Sequence, residues 1–325
     1  MQERSNKILS VLVGGAVCLA FLVVVVGAYT RLVDAGLGCP DWPGCYGQLI
    51  VPETEAGIKA AEAKFPDSPI DVEKAWVEMV HRYLASGLGL LVLVIVVVAW
   101  RIKQSLKFPL LLLGLVVVQG AFGAWTVTLK LLPQVVTVHL LGGMITLGLL
   151  FWYFLKLNPV HLGLGSFPVQ TYVKIFLAVL IVQIALGGWV SANYAALACP
   201  DFPLCHSELI PSMNLPEGFN VFQEVGPNYL GGEMSMEGRI AIHFVHRWWA
   251  LIVFLVGLIL SLRLSVLGRA LFGSLLGIQI GLGIMNVLLA VPLTLAVLHN
   301  VGAALLLIAT VLLMSDKQNT VHHEG

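Results

Sequence analysis

Eight stretches of about 20 or more apolar residues recur along the chain, near 8–29, 76–100, 108–129, 133–156, 171–193, 239–263, 270–290 and 293–314. A bilayer core of about 30 Å is crossed by about 20 residues of α-helix, so each stretch has the length of a transmembrane span. The charge content agrees: 58% of the 325 residues are hydrophobic and 11% charged, against roughly 25% charged in an average soluble protein. A soluble globular fold is excluded. Lys+Arg and Asp+Glu balance at 18 each, which leaves no basic excess to hold a nucleic acid, and five cysteines are too few for a disulfide-built scaffold. The first stretch is longer than the apolar core of a signal peptide and lacks a small-residue cleavage site, so it is expected to stay as a span.

Eight spans place both termini on one side, and the charges say which. That side collects Arg4, Lys7, Arg101, Lys103, Lys107, Lys156, Lys174, Arg263, Arg269 and Lys317, opposed only by Glu3, Asp316 and Glu324. Most acids fall in two long loops, 30–75 and 194–238, on the other side. The positive-inside rule then puts both termini in the cytoplasm and both loops in an oxidising outer compartment.

The sequence also repeats itself. A shift of 160 residues lays CPDWPGC (39–45) over CPDFPLC (199–205), and Gln119, Gly123 and His139 over Gln279, Gly283 and His299. A slightly larger shift lays HRYLA (81–85) over HRWWA (246–250). Because each copy holds an even number of spans, the copies run in the same direction. The expected fold is therefore an all-α membrane protein, its eight transmembrane helices forming two tandem four-helix bundles related by a parallel internal repeat. Residues 1–156 form the first bundle, 157–170 a cytoplasmic linker and 171–325 the second.

Ionisable groups inside a span cost roughly 2.5 to 3.5 kcal/mol when charged at the helix centre, so each demands a reason. His81, His139, His246 and His299 lie six to eight residues in from the outer ends of spans 2, 4, 6 and 8, a common depth of about 9–12 Å. Two facing imidazoles across a four-helix bundle are what a six-coordinate heme iron requires, and each half holds one such pair. Mononuclear zinc or copper would want three or four converging ligands, which separate pairs do not supply. The glycines of QGAFG (119–123) and QIGLG (279–283) would let a flat macrocycle approach the backbone, although helix packing alone also accounts for them. Arg82 and Arg247, each next to a histidine near the outer surface, suit heme propionates or equally snorkel to lipid head groups.

The halves differ at one position. Glu78 lies three residues before His81, where His243 precedes His246. A carboxylate beside one pocket only suggests proton-coupled chemistry there; the plainer alternative is a carboxylate reaching water or capping a helix end. His243 could itself replace His246 as a ligand, but the shared His-Arg doublet favours His246. Each cysteine pair, Cys39–Cys45 and Cys199–Cys205, closes a seven-residue ring suited to a disulfide worth roughly 2–3 kcal/mol. A labile redox role is the alternative. Cys18 is expected to be a small buried apolar residue. His206, His322 and His323 fall outside any pairing.

Along essentially all eight spans the chain resembles the heme A synthase family of the bacterial type. The resemblance rests on EMVHR (78–82), the second His-Arg doublet at 246–247, the single histidines at 139 and 299, and the paired cysteine loops. It implies oxidation of a ring methyl of heme O to a formyl group, giving heme A for terminal oxidases. It further implies that His246 and His299 hold a b-type heme as electron-transfer cofactor, that His81 and His139 flank heme O, and that Glu78 takes part in catalysis. Implied partners are heme O synthase, the terminal oxidase assembly route and an electron donor for which a ferredoxin-like protein is one candidate. Homo-oligomerisation stays open. With no Arg-rich, Ser-rich presequence, a bacterial plasma membrane is expected.

Two rival readings remain. A non-enzymatic diheme b-type electron carrier would want one heme near each membrane face, against the common depth of the histidines. A thiol oxidase would act through the loop cysteines without heme.

Overall fold

The computed structural model describes residues 2–159, 162–164 and 169–316. Among them there are ten helices and no strand. Eight are long and apolar enough to cross a membrane: α1 (Gln2–Leu32), α3 (Val72–Arg101), α4 (Lys107–Thr128), α5 (Pro133–Leu157), α6 (Gln170–Ala192), α8 (Met236–Leu262), α9 (Val266–Leu288) and α10 (Leu293–Ser315). Two short helices, α2 (Glu55–Lys64) and α7 (Leu215–Gly218), lie in the long loops. Hydropathy does not reveal them, because both are too short and too polar to register as spans.

Local signals set the helix ends. Side chains of Asp71, Ser235 and Ser265 accept hydrogen bonds from the amides of Lys74, Gly238 and Gly268, and Pro133 opens α5, which satisfies or removes donors a helix N-terminus leaves open. These caps start α3 and α8 four and three residues before the expected spans. The outer ends of α1, α6, α4 and α9 turn through left-handed residues: Asp34 and Tyr194, then Lys130 with Leu131 and Ala290 with Val291. The resulting amides of Ala35, Ala195, Leu131 and Val291 close back onto carbonyls five residues earlier, at 2.7–2.9 Å.

Helices α1, α3, α4 and α5 pack together, as do α6, α8, α9 and α10. The halves meet where α5 lies against α6 and α10, and where α1 lies against α10. Lipid tails are as apolar as leucine, so close packing around small residues, not water exclusion, holds such helices together. Gly148 of α5 lies against Leu307 of α10, and Leu147, Leu150, Leu306 and Leu307 belong to one continuous core. At the loop-bearing face the halves are bolted by polar groups. Arg31 donates to the Ser191 carbonyl at 2.5 Å and stacks 4.1 Å over the Tyr194 ring, whose hydroxyl donates to Asp34 at 2.7 Å.

The second long loop crosses onto the first half: the Tyr229 amide donates to the Lys130 carbonyl, and Gln134 donates to the Gln223 carbonyl, both at 3.0 Å. At the opposite face Asp316 accepts from the amides of Leu162 and Leu164. Much of the linker, like Lys317, His322, His323 and Glu324, lies outside the described residues.

Candidate functional site

The site is assembled at the loop-bearing ends of α3 and α8, where a disulfide-closed ring sits on each helix. Cys39–Cys45 and Cys199–Cys205 are both bonded. Each ring is followed by a two-residue turn, Tyr46-Gly47 or His206-Ser207, with every residue at positive φ, a conformation that side chains other than glycine adopt reluctantly. An aspartate stabilises it. Asp41 accepts from the amides of Tyr46 and Gly47 at 2.6 and 2.8 Å, and Asp201 from those of His206 and Ser207, both at 2.7 Å. Hydrogen bonds from these amides, Ser207 first, hold the Asp201 carboxyl below the usual aspartate range. The aspartate of the CPD motif is thus a structural requirement of the turn, a role that its repetition alone does not disclose.

Each ring grips the helix below it. In the first half the Cys39 amide donates to Glu78 at 2.8 Å, and Arg82 pairs with the other carboxylate oxygen. Arg82 also donates to the ring carbonyls of Asp41 and Gly44 at 3.0 and 2.6 Å. In the second half the Cys199 amide lies 3.3 Å from His243 Nδ1 and Arg247 Nε 3.2 Å from His243 Nε2, contacts of which a neutral imidazole accepts only one, and Arg247 donates to the carbonyls of Cys199, Asp201 and Leu204. Both guanidinium groups, expected near propionates, therefore direct Nη donors at the rings. Glu78 and His243 are both buried, and each has a hydrogen-bond partner, as a buried polar group requires. His243 is committed to ring and arginine, which leaves the ligand role open to His246.

Below these contacts stand the four histidines. His81 and His246 lie nine and ten residues into α3 and α8, and His139 and His299 six residues into α5 and α10. The first two exceed the expected spacing because α3 and α8 project outward on their capped, polar first turns. The rings of His81 and His139 face each other with centroids 6.5 Å apart and planes at 86°. An iron between two imidazoles needs about 2 Å to each nitrogen and about 1 Å more to each ring centre, giving about 6 Å overall. Nδ1 of all four histidines is buried without a hydrogen-bond partner of good geometry.

A glycine faces each ring. An added Cβ at Gly27 would come within 2.7 Å of His81, at Gly123 within 3.4 Å of His139, at Gly187 within 3.3 Å of His246 and at Gly283 within 3.1 Å of His299. Gly27 and Gly187 are themselves 160 residues apart, a signal present in the sequence but hidden among 33 glycines. The opposed first-half rings and the glycines that admit all four imidazoles fit bis-imidazole heme binding. Among the described residues no group of three His, Cys, Asp or Glu converges as a metal cluster would. Cys18, expected inside, is exposed on the surface of α1: apolar sulfur is as well placed against lipid as in a core. His206 belongs to the turn, its Nε2 lying 2.9 Å from the Ala198 carbonyl.

The family model described as cytochrome oxidase assembly protein matches residues 10–311. A protein named heme A synthase from Shewanella oneidensis is 45% identical over 300 residues, covering 89% of this chain and 91% of the relative. Proteins of the same name from Rhizorhabdus wittichii and Novosphingobium aromaticivorans are each 29% identical, covering 90% of this chain and 88% and 91% of their own lengths.

Proposed function

The chain belongs to the heme A synthase family, and from that premise we propose that it oxidises a ring methyl of heme O to the formyl group of heme A, dividing the task between its halves. The first half, 1–156, takes heme O between His81 and His139; the second, 171–325, holds a b-type heme between His246 and His299. The observation that carries this division is the pair of opposed imidazoles below Glu78, a carboxylate that the second half replaces with His243.

The reaction passes through two two-electron oxidations, methyl to alcohol and alcohol to hydrated aldehyde; each balances with one dioxygen, two electrons from the donor and two protons, one oxygen atom entering the substrate and the other leaving as water, and the hydrated aldehyde then loses water. Electrons and protons must both reach the site. When bound, the second-half heme supplies one-electron transfer. The chain's own residues do the rest. His81 and His139 fix the macrocycle's height and plane, Gly27 and Gly123 leave room for those two imidazoles, and Glu78, one turn away on the same helix face, handles protons at the methyl. The Cys39 amide and Arg82 hold that carboxylate in one orientation. Arg82 and Arg247 form the rim at which charged propionates would end, and the apolar farnesyl tail would lie between spans or along lipid.

The positive-inside reading places both termini in the cytoplasm of a bacterial plasma membrane. Heme O would come from heme O synthase, heme A would pass to terminal oxidase assembly, and electrons would come from a donor for which a ferredoxin-like protein is one candidate. The test is to purify the protein, record its optical spectrum and extract its pigments. A low-spin b-type band should vanish in His246→Ala and His299→Ala, and heme O should accumulate in Glu78→Ala. Absence of heme from every preparation would overturn the reading.

A further inference from the structure

Beyond the rings the two long loops share a second feature. One residue past each turn, after Gln48 or Glu208, comes the same apolar pair, Leu49-Ile50 and Leu209-Ile210, and these side chains are 76%, 61%, 63% and 71% exposed. Trp42 and Phe202, at equivalent places inside the rings, are exposed as well. Large apolar side chains presented in matching positions on a rigid scaffold mark a contact surface. Rigidity here is built in: Cys45 and Gln48 exchange two backbone hydrogen bonds, as do Cys205 and Glu208.

From the placement of these residues we propose that both disulfide loops are seated in the bilayer, with the two Leu-Ile pairs among phospholipid acyl chains and the ring aromatics at the head-group boundary. Three observations favour lipid over another occupant. The Tyr83 hydroxyl donates to the Leu49 carbonyl at 2.5 Å, and Tyr83 shares with Val80, Gly87 and Leu90 an exposed stripe of α3 that a membrane would cover. The loop therefore lies down the flank of a spanning helix, two residues past His81. Part of the backbone beside the first pair is bonded internally, Gln48 to Cys45 and the Leu49 carbonyl to Tyr83, which lowers the cost of bringing it to hydrocarbon. Finally, acids of the first loop stand apart: Glu53, Glu55, Glu62 and Asp67 are exposed on α2 and its flanks. On the second half exposed Trp248 stands two residues past His246, the kind of aromatic that anchors at a membrane interface.

The test uses the full-length protein in phospholipid nanodiscs, with Cys18→Ser as background and the native disulfides oxidised. Single variants Leu49→Cys, Ile50→Cys, Leu209→Cys and Ile210→Cys carry a nitroxide label. Accessibility to oxygen is compared with that to a water-soluble nickel chelate. The ratio at the four loop positions should lie several-fold above that of a label at Glu62→Cys and approach that at Leu90→Cys. Values like those at Glu62 would overturn the proposal, as would exclusion of both reagents with spin–spin broadening, the mark of a second copy of the chain. In the unlabelled protein, a phospholipid with a photoactivatable acyl chain should form adducts within 42–50 and 202–210. Adducts on α3 alone would equally overturn it.

Discussion

The two halves of this protein carry the same scaffold and differ in the groups that touch its contents. In both, an aspartate-stabilised ring hangs over a helix, its first cysteine amide meeting the residue three before His81 or His246. In the first half that residue is Glu78, paired with Arg82; in the second it is His243, beside Arg247. A second difference lies beside the ligand. Gln183 approaches His246 Nε2 at 3.4 Å, whereas the position 160 residues earlier is the apolar Val23. The repeat keeps the ring, its aspartate and the histidine below it, and substitution at a few contact points distinguishes the halves; in the proposed reading these substitutions separate reaction from electron transfer. Geometry is shared; proton chemistry is not.

The sharpest way to break this comparison is to remove the carboxylate. Glu78→Gln should lower heme O oxidation by about 10²- to 10⁴-fold, the range for loss of a positioned acid–base group, while the b-type spectrum of the second half is unchanged. His243→Gln should do the reverse, disturbing that spectrum and leaving heme O bound. If both variants lose the same property, the halves are not specialised.

Opening the first ring comes next. Cys39→Ser with Cys45→Ser removes a cross-link worth about 2 kcal/mol in the chain-entropy model and loosens the amide on Glu78. Turnover should fall with little change in the second-half spectrum, whereas Cys199→Ser with Cys205→Ser should shift the spectrum first. The glycines sharpen the contrast further. A Cβ at Gly27 would sit 2.7 Å from the His81 ring, closer than carbon atoms tolerate, against 3.3 Å at Gly187. Titration of heme O into Gly27→Ala should therefore show a larger affinity loss than titration of b-type heme into Gly187→Ala.

The smallest expected effect concerns acid. The folded Asp201 carboxyl titrates below its ordinary value near 3.8, so its contribution to the turn is present above that value and lost as pH falls through the lower, folded one. The protection of the His206 and Ser207 amides against hydrogen exchange, taken relative to the intrinsic rate at each pH, should be constant down to about 4 and fall only below. Asp201→Asn should lower that protection at every pH.

Much of the architecture was legible in advance because its causes are local. Spans follow from runs of apolar residues, and the expected boundaries at 133–156 and 171–193 fall within one residue of α5 and α6. The outward extension of α3 and α8 was not legible from hydropathy, since their first turns are polar and rest on Asp71 and Ser235 caps. The axial histidines stood out because intramembrane imidazoles are rare and these recur. Gly27 and Gly187 did not, since a glycine's meaning depends on what approaches it.

Sequence alone determined the number of spans, the duplication, the four imidazoles and the single carboxylate that distinguishes the halves, because chain length, hydropathy and residue identity are properties of the chain itself. Only the tertiary structure decided that Arg82 and Arg247 bind ring carbonyls, that Asp41 and Asp201 support the turns, and that His81 meets His139 across 6.5 Å. These are contacts between residues 38 to 58 positions apart or orientations around a turn, and their geometry is set by packing between elements, which no local pattern encodes.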